Sequence, residues 1–143
     1  MTVTVLFLSS LNGARSQMAE AFMNRIGAGR IIAESAGTKP GHLNAQAVAV
    51  MQEKGIDISR NSTKHVARMV MARRIFDYVI YVAEEDEDEE SPQFPGKTTR
   101  LDWDFPDPSG FTGTKEEMLA QTRAVRDAIE KQVREWCATV VAG

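Results

Sequence analysis

Seven residues near the start of the chain, Thr2 to Leu8, are β-prone and almost wholly apolar. Such a run reads as a strand buried on both faces, the kind found inside parallel sheets. It leads straight into the polar stretch "SSLNGARS". Ser16 to Arg25 then has helix composition, with Met18, Ala21, Phe22 and Ile26 at helical spacing and Gly27 and Gly29 to end it. A doubly buried strand needs cover on both sides, so the rest of the chain must supply it.

The alternation continues. Ile31 to Ala36 reads as a second strand closed by Gly37, "TKPGHLN" as a loop, and Ala45 to Lys54 as a helix stopped by Gly55. His65 to Arg74 reads as a short helix, Asp77 to Val82 as a third strand, and Thr98 to Leu101 as a short edge strand. "DWDFPDPSGFTG" reads as a loop. The last helix opens on a capping box, Thr114 with Glu117, and carries a stripe of Met118, Thr122, Val125, Ile129, Val133 and Trp136. Strands alternating with helices imply an α/β fold, a parallel sheet with helices on both faces and right-handed crossovers. With 143 residues, 43% of them hydrophobic, no internal repeat and no clear linker, residues 1–143 are expected to form a single domain.

Ligands of such sheets sit at the C-terminal ends of strands, at a topological switch point. That points to residues 9–16. Backbone amides and the positive end of a helix dipole gather there. Asn12 and Gly13 tolerate left-handed backbone, which turns successive amides inward as a nest. Arg15 offers a bidentate fork. Ser9, Ser10, Leu11, Asn12, Gly13, Ala14, Arg15 and Ser16 are therefore the candidate oxyanion-binding residues. The competing reading is a plain turn whose arginine pairs with a nearby carboxylate. Neither the Walker A pattern nor the dinucleotide GxGxxG pattern is present.

The net charge of −3 gives no general attraction to nucleic acid or to an anionic membrane. The first apolar run is too short to span a bilayer and lacks the marks of a signal peptide, so a cytoplasmic protein is the expectation. One cysteine, Cys137, allows neither an internal disulfide nor a cysteine-based zinc site, and no metal or other cofactor is expected.

"VLFLSSLNGARSQMAEAF" resembles the active-site loop of low-molecular-weight protein tyrosine phosphatases. It is similar, more closely still, to that of the thioredoxin-coupled arsenate reductases that share their fold. Their pattern is Cys, five residues, Arg, then Ser or Thr, with Asn three residues after the Cys. Asn12, Arg15 and Ser16 match in register. "ESAGTKPGHLNAQAVAVMQEKGIDIS", "FDYVIYV", "FPGKTTRLDWDFPDPSG" and "RAVRDAIEKQV" resemble later segments of the family, in order. The resemblance implies a three-layer sandwich with a four-stranded parallel sheet flanked by helices, and a phosphate-, arsenate- or sulfate-like oxyanion as partner.

The family's nucleophilic cysteine falls on Ser9, and its two further redox cysteines fall near Ala83 and Ser91. A hydroxyl is a far weaker acid than a thiol, and serine nucleophiles normally need an adjacent base. His42 and His65 are the only histidines. Without paired cysteines a disulfide relay cannot run. Asp107 falls on the family's general acid, so Ser9, Arg15 and Asp107 are the candidate catalytic positions. A plainer role for Asp107 is to open a turn. Some arsenate reductases hold potassium with an Asn, a Glu, a Ser and an Asp. Asn12, Glu20 and Ser35 match the first three, and Lys64 stands at the fourth, as a tethered ammonium or simply an exposed lysine. The expected reading is an oxyanion binder that has lost catalysis. The alternatives are an engineered Cys-to-Ser variant of an active enzyme, an active phosphatase using Ser9 or Ser10, and an interaction module whose acidic run, Glu84 to Glu90, greets a basic protein partner.

Overall fold

A computed structural model of the chain describes residues 2–84 and 92–142. Four parallel strands, β1 (Val3–Ser9), β2 (Ile31–Gly37), β3 (Tyr78–Ala83) and β4 (Thr99–Asp104), form one sheet in the order β2-β1-β3-β4. The fold class expected from the sequence is thus the one observed. β1 pairs with β2 on one side and with β3 on the other. The chain therefore reverses its direction of winding next to β1, which makes the end of β1 a switch point.

The helices are α1 (Arg15–Ile26), α2 (Ala45–Gln52), α3 (Val66–Met71) and α4 (Lys115–Ala142). On one face of the sheet Val5 and Phe7 join Met18 and Phe22 of α1, Val50 of α2 and Ile129 of α4 in a single core. On the other face Leu6 and Leu8 join Val66 and Met69 of α3, together with Phe76, Val79 and Tyr81. The side chains of β1 alternate between two buried faces, which is why its sequence is apolar without a break.

α4 carries the expected capping box. Thr114 N–H donates to Glu117 Oε1 and Glu117 N–H to Thr114 Oγ1, both at 3.1 Å. Its buried stripe runs through Thr122, Val125, Ile129, Val133 and Cys137. Arg123 and Arg126 clamp Glu53, the C-cap of α2, at 2.7 Å each, and these hydrogen bonds hold the Glu53 carboxyl down at about 2.

The edge strand departs from expectation. β4 runs on through Asp102, Trp103 and Asp104, residues read from the sequence as loop. The two aspartates point to solvent while Trp103 is buried, its ring 5.6 Å from Phe7 and 6.2 Å from Trp136. An edge strand tolerates outward charge, and here Trp103 with the half-buried Leu101 turns inward to hold it. α2 and α3 are each shorter than expected, ending at Gln52 and Met71.

Candidate functional site

The loop between β1 and α1 is built so that its carbonyls face away from its hollow. Ser9, Ser10, Leu11 and Gly13 each give their carbonyl oxygen to an amide of the segment that follows β2. The donors are Thr38, Lys39, Gly41 and Asn44, at 3.3, 2.8, 3.0 and 2.8 Å. The Asn12 carbonyl is taken by Gln17 Nε2 at 3.1 Å. In a trans peptide the N–H points opposite to the C=O. Five outward carbonyls therefore turn the amides of residues 10–14 toward the inside. The Asn12 N–H shows which side that is, because it reaches Ser9 Oγ at 3.2 Å.

Asn12 is the one residue of this loop with a left-handed backbone, at φ 53°. Its buried side chain holds it there. Nδ2 donates to Ser16 Oγ at 2.8 Å, and Oδ1 accepts from the Lys64 N–H at 3.0 Å and from Gln17 Nε2 at 3.2 Å. Each such bond contributes about 1 kcal/mol net, enough together to offset the strain of one αL residue.

Gly13 does not adopt the left-handed conformation expected from the sequence. It is required for a different reason: a Cβ placed there would stand 2.5 Å from the His42 carbonyl oxygen. The returning segment lies directly on the loop, and only glycine leaves it room. Gly13→Ala is expected to lower stability by roughly 1–3 kcal/mol through this overpacking. Gly41→Ala, whose Cβ would meet Leu11 at an ordinary 3.5 Å, serves as a near-neutral control in the same thermal melts.

α1 begins at Arg15, and its N-cap, Ala14, has no side chain able to cap the first turn. The helix thus turns its positive end to the hollow. Arg15 is 2% exposed. Nη1 donates to the Phe105 carbonyl at 3.2 Å, and Nη2 lies 3.3 Å from Asp107 Oδ2. Ser9 and Ser16 share a hydroxyl hydrogen bond of 2.7 Å at the bottom of the hollow.

Asp107 opens a turn, the plainer role considered for it, and at the same time faces Arg15. Oδ1 accepts from the Ser109 N–H at 2.9 Å and caps the short 3₁₀ turn Pro108–Gly110, while Oδ2 faces Arg15. Its own N–H donates to Glu84 Oε1 at 2.8 Å. In the sequence Glu84 is simply the first member of the acidic run. The rest of that run, residues 85–90, lies outside the described residues, as does Ser91.

The structure gathers Ser9, Leu11, Gly13, Ala14, Arg15 and Asp107 around one pocket and adds His42, Asn44 and Ser109. His42 lies 29 positions after Gly13, and nothing local in the sequence signals that its segment folds back. His65 is elsewhere, its Nδ1 accepting from Ala67 N–H as the cap of α3. Ser35 Oγ donates to Glu20 Oε1 at 2.9 Å, and burial raises the Glu20 carboxyl above its ordinary range. Among the described residues Lys64 makes no hydrogen bond or ion pair to this pair, but its positive charge acts on the Glu20 carboxyl and opposes part of the upward push of burial. Its ammonium bonds the Ser62 carbonyl at 3.4 Å, and its contribution to the loop is its backbone N–H. Cys137 is buried with Sγ 3.2 Å from Met23 Sδ, and burial pushes its thiol up.

Comparison with known proteins agrees with this geometry. Arsenate reductases of Halalkalibacterium halodurans and Bacillus subtilis are each 33% identical over 135 residues, 94% of this chain and 95% of theirs. Among solved structures, an arsenate reductase in its phosphate binding state superposes with a TM-score of 0.81 at 29% identity, covering 97% of this chain and 99% of the other. The family model for low molecular weight phosphotyrosine protein phosphatase matches residues 4–142. A match over nearly the whole length, carried by the loop, sheet order and helices just described, shows that the chain belongs to the low molecular weight phosphotyrosine protein phosphatase family.

Proposed function

We propose that this chain binds a tetrahedral oxyanion, phosphate or arsenate, in the loop Ser9–Ser16, and that with serine at position 9 it does not turn that anion over. The observation that carries the reading is the set of outward carbonyls, which leaves amides, a helix start and the buried Arg15 around one hollow. Backbone amides and an arginine turned toward one hollow at a helix start are suited to an anion. A relative of the same fold solved in a phosphate binding state supports it. Loss of turnover follows from the chemistry of Ser9. Its hydroxyl is engaged by Ser16 and by the Asn12 amide, and these contacts include no base to ionise it. The redox position corresponding to Ala83 closes β3 with a methyl group.

Thermal melts of the full chain in rising phosphate or arsenate test this. A ligand of the folded state alone, at about 100 times its Kd, stabilises by about 2.7 kcal/mol. For a chain of this size that is a rise of roughly 5–10 °C. Melting temperatures unchanged by any tetrahedral anion would refute the proposal.

A further inference from the structure

We propose that Asp107 sets the anion selectivity of this site, admitting tetrahedral oxyanions that carry a proton, hydrogen phosphate or hydrogen arsenate, and rejecting sulfate. The inference rests on the oxyanion-binding reading above and adds a choice among anions to it.

Among the described residues lining the pocket, Asp107 is the one carboxylate. Its Oδ2 is 3.3 Å from Arg15 Nη2, so an anion that engages the guanidinium meets this oxygen as well. The carboxylate is also tethered. Oδ1 is held by the Ser109 N–H, the Asp107 N–H is held by Glu84 Oε1, and Pro108 restricts the turn between them. One step earlier the Phe105 N–H bonds the Ala83 carbonyl at 2.8 Å. Glu84 thus continues the β3–β4 ladder with its side chain beyond the point where the strands part. Swinging Oδ2 away from an incoming anion would break one or more of these bonds.

The chemistry then discriminates. An ionised carboxylate only accepts hydrogen bonds. The amides and Arg15 only donate, and the Ser9 and Ser16 hydroxyls rotate to suit either partner. An anion oxygen placed against Asp107 must bring its own hydrogen or face another negative oxygen at contact distance. Hydrogen phosphate and hydrogen arsenate bring one near neutral pH, and sulfate does not. A site built around one specific hydrogen bond rejects the ligand that lacks it, because a polar group is left unpaired.

Calorimetric titration of the full chain with phosphate, arsenate and sulfate near neutral pH tests the assignment, alongside Asp107→Asn and Arg15→Ala. Phosphate and arsenate are expected to bind at least about tenfold more tightly than sulfate. Asp107→Asn replaces the obligate acceptor with a group of the same shape that also donates, and is expected to close most of that gap by raising sulfate affinity. Wild-type protein that binds sulfate as tightly as phosphate would overturn the assignment, and so would an Asp107→Asn ratio equal to the wild-type ratio. If no anion binds, or if binding survives Arg15→Ala unchanged, the underlying oxyanion reading fails and selectivity falls with it.

Discussion

Arg15→Ala is expected to abolish the anion-induced rise in melting temperature while leaving the far-UV spectrum of the chain unchanged. The guanidinium is 2% exposed and stands at the first residue of α1, so it meets a ligand with little competition from water. A buried, charge-assisted contact of this kind is worth about 2–5 kcal/mol when one partner is removed, a loss of at least about thirtyfold in affinity. The backbone amides that remain still favour an anion, yet they supply partial charges only. Arg15→Lys separates charge from shape. It keeps the charge as a single compact ammonium and loses the fork that spans Phe105 and Asp107. Its affinity is expected to fall between wild type and Arg15→Ala. Calorimetry with phosphate measures both. Retention of wild-type affinity by Arg15→Ala would remove the guanidinium from the site and leave only a turn stabilised by internal pairing.

The substitution also has a cost in the unliganded protein. Without Arg15 the Phe105 carbonyl loses a partner and the Asp107 carboxylate loses its countercharge. Asp107 is partly open to water, which can replace the lost contact, so the stability change is expected to be smaller than the affinity change.

What could be read from the sequence and what could not divide along a physical line. Features set by neighbours in sequence were legible. The apolar run of β1, the capping box of α4 and the tolerance of Asn12 for a left-handed backbone each depend on a few adjacent residues. The place of the loop at a switch point was legible too, because strand–helix alternation allows few topologies. Features set by distant approach were not. The sequence suggests a left-handed Gly13, whereas the carbonyl that demands glycine there belongs to the distant His42. Glu84 looked like one acid among seven, and only the return of β4 beside β3 brings it to the Asp107 amide. The ammonium of Lys64 acts on Glu20 by charge, as its sequence position suggests, but that its backbone N–H reaches Asn12 is set by the fold alone. The aspartates of β4 hid a strand because an edge position lets charge face outward.

The second large effect concerns position 9. Ser9→Cys is expected to create a thiol ionised well below the usual value of about 8.5, in the range of about 3.5–7.5 seen for thiols at helix starts beside cations. The surroundings are already arranged for a thiolate. The Asn12 N–H and the Ser16 hydroxyl reach the Ser9 oxygen at 3.2 and 2.7 Å, and the first turn of α1 opens on the same hollow. Each of these contacts stabilises an anion at Sγ and does little for a hydroxyl that remains protonated. Alkylation by iodoacetamide as a function of pH reads the ionisation directly. Cys137 is a built-in control, since burial raises its pKa and leaves it 4% exposed. The new thiol should react quickly below neutral pH and be protected by phosphate, while Cys137 stays unmodified. The variant should also gain hydrolysis of an aryl phosphate: the thiolate takes the phosphoryl group, an acidic aryloxide leaves without needing a proton, and water then releases phosphate from Sγ. The expected increase over wild type is roughly a thousandfold or more, the scale on which nucleophiles matter to such reactions. A thiol that titrates near 8.5 would mean that the amides do not focus charge on this position, and the loop would then have lost more than its cysteine.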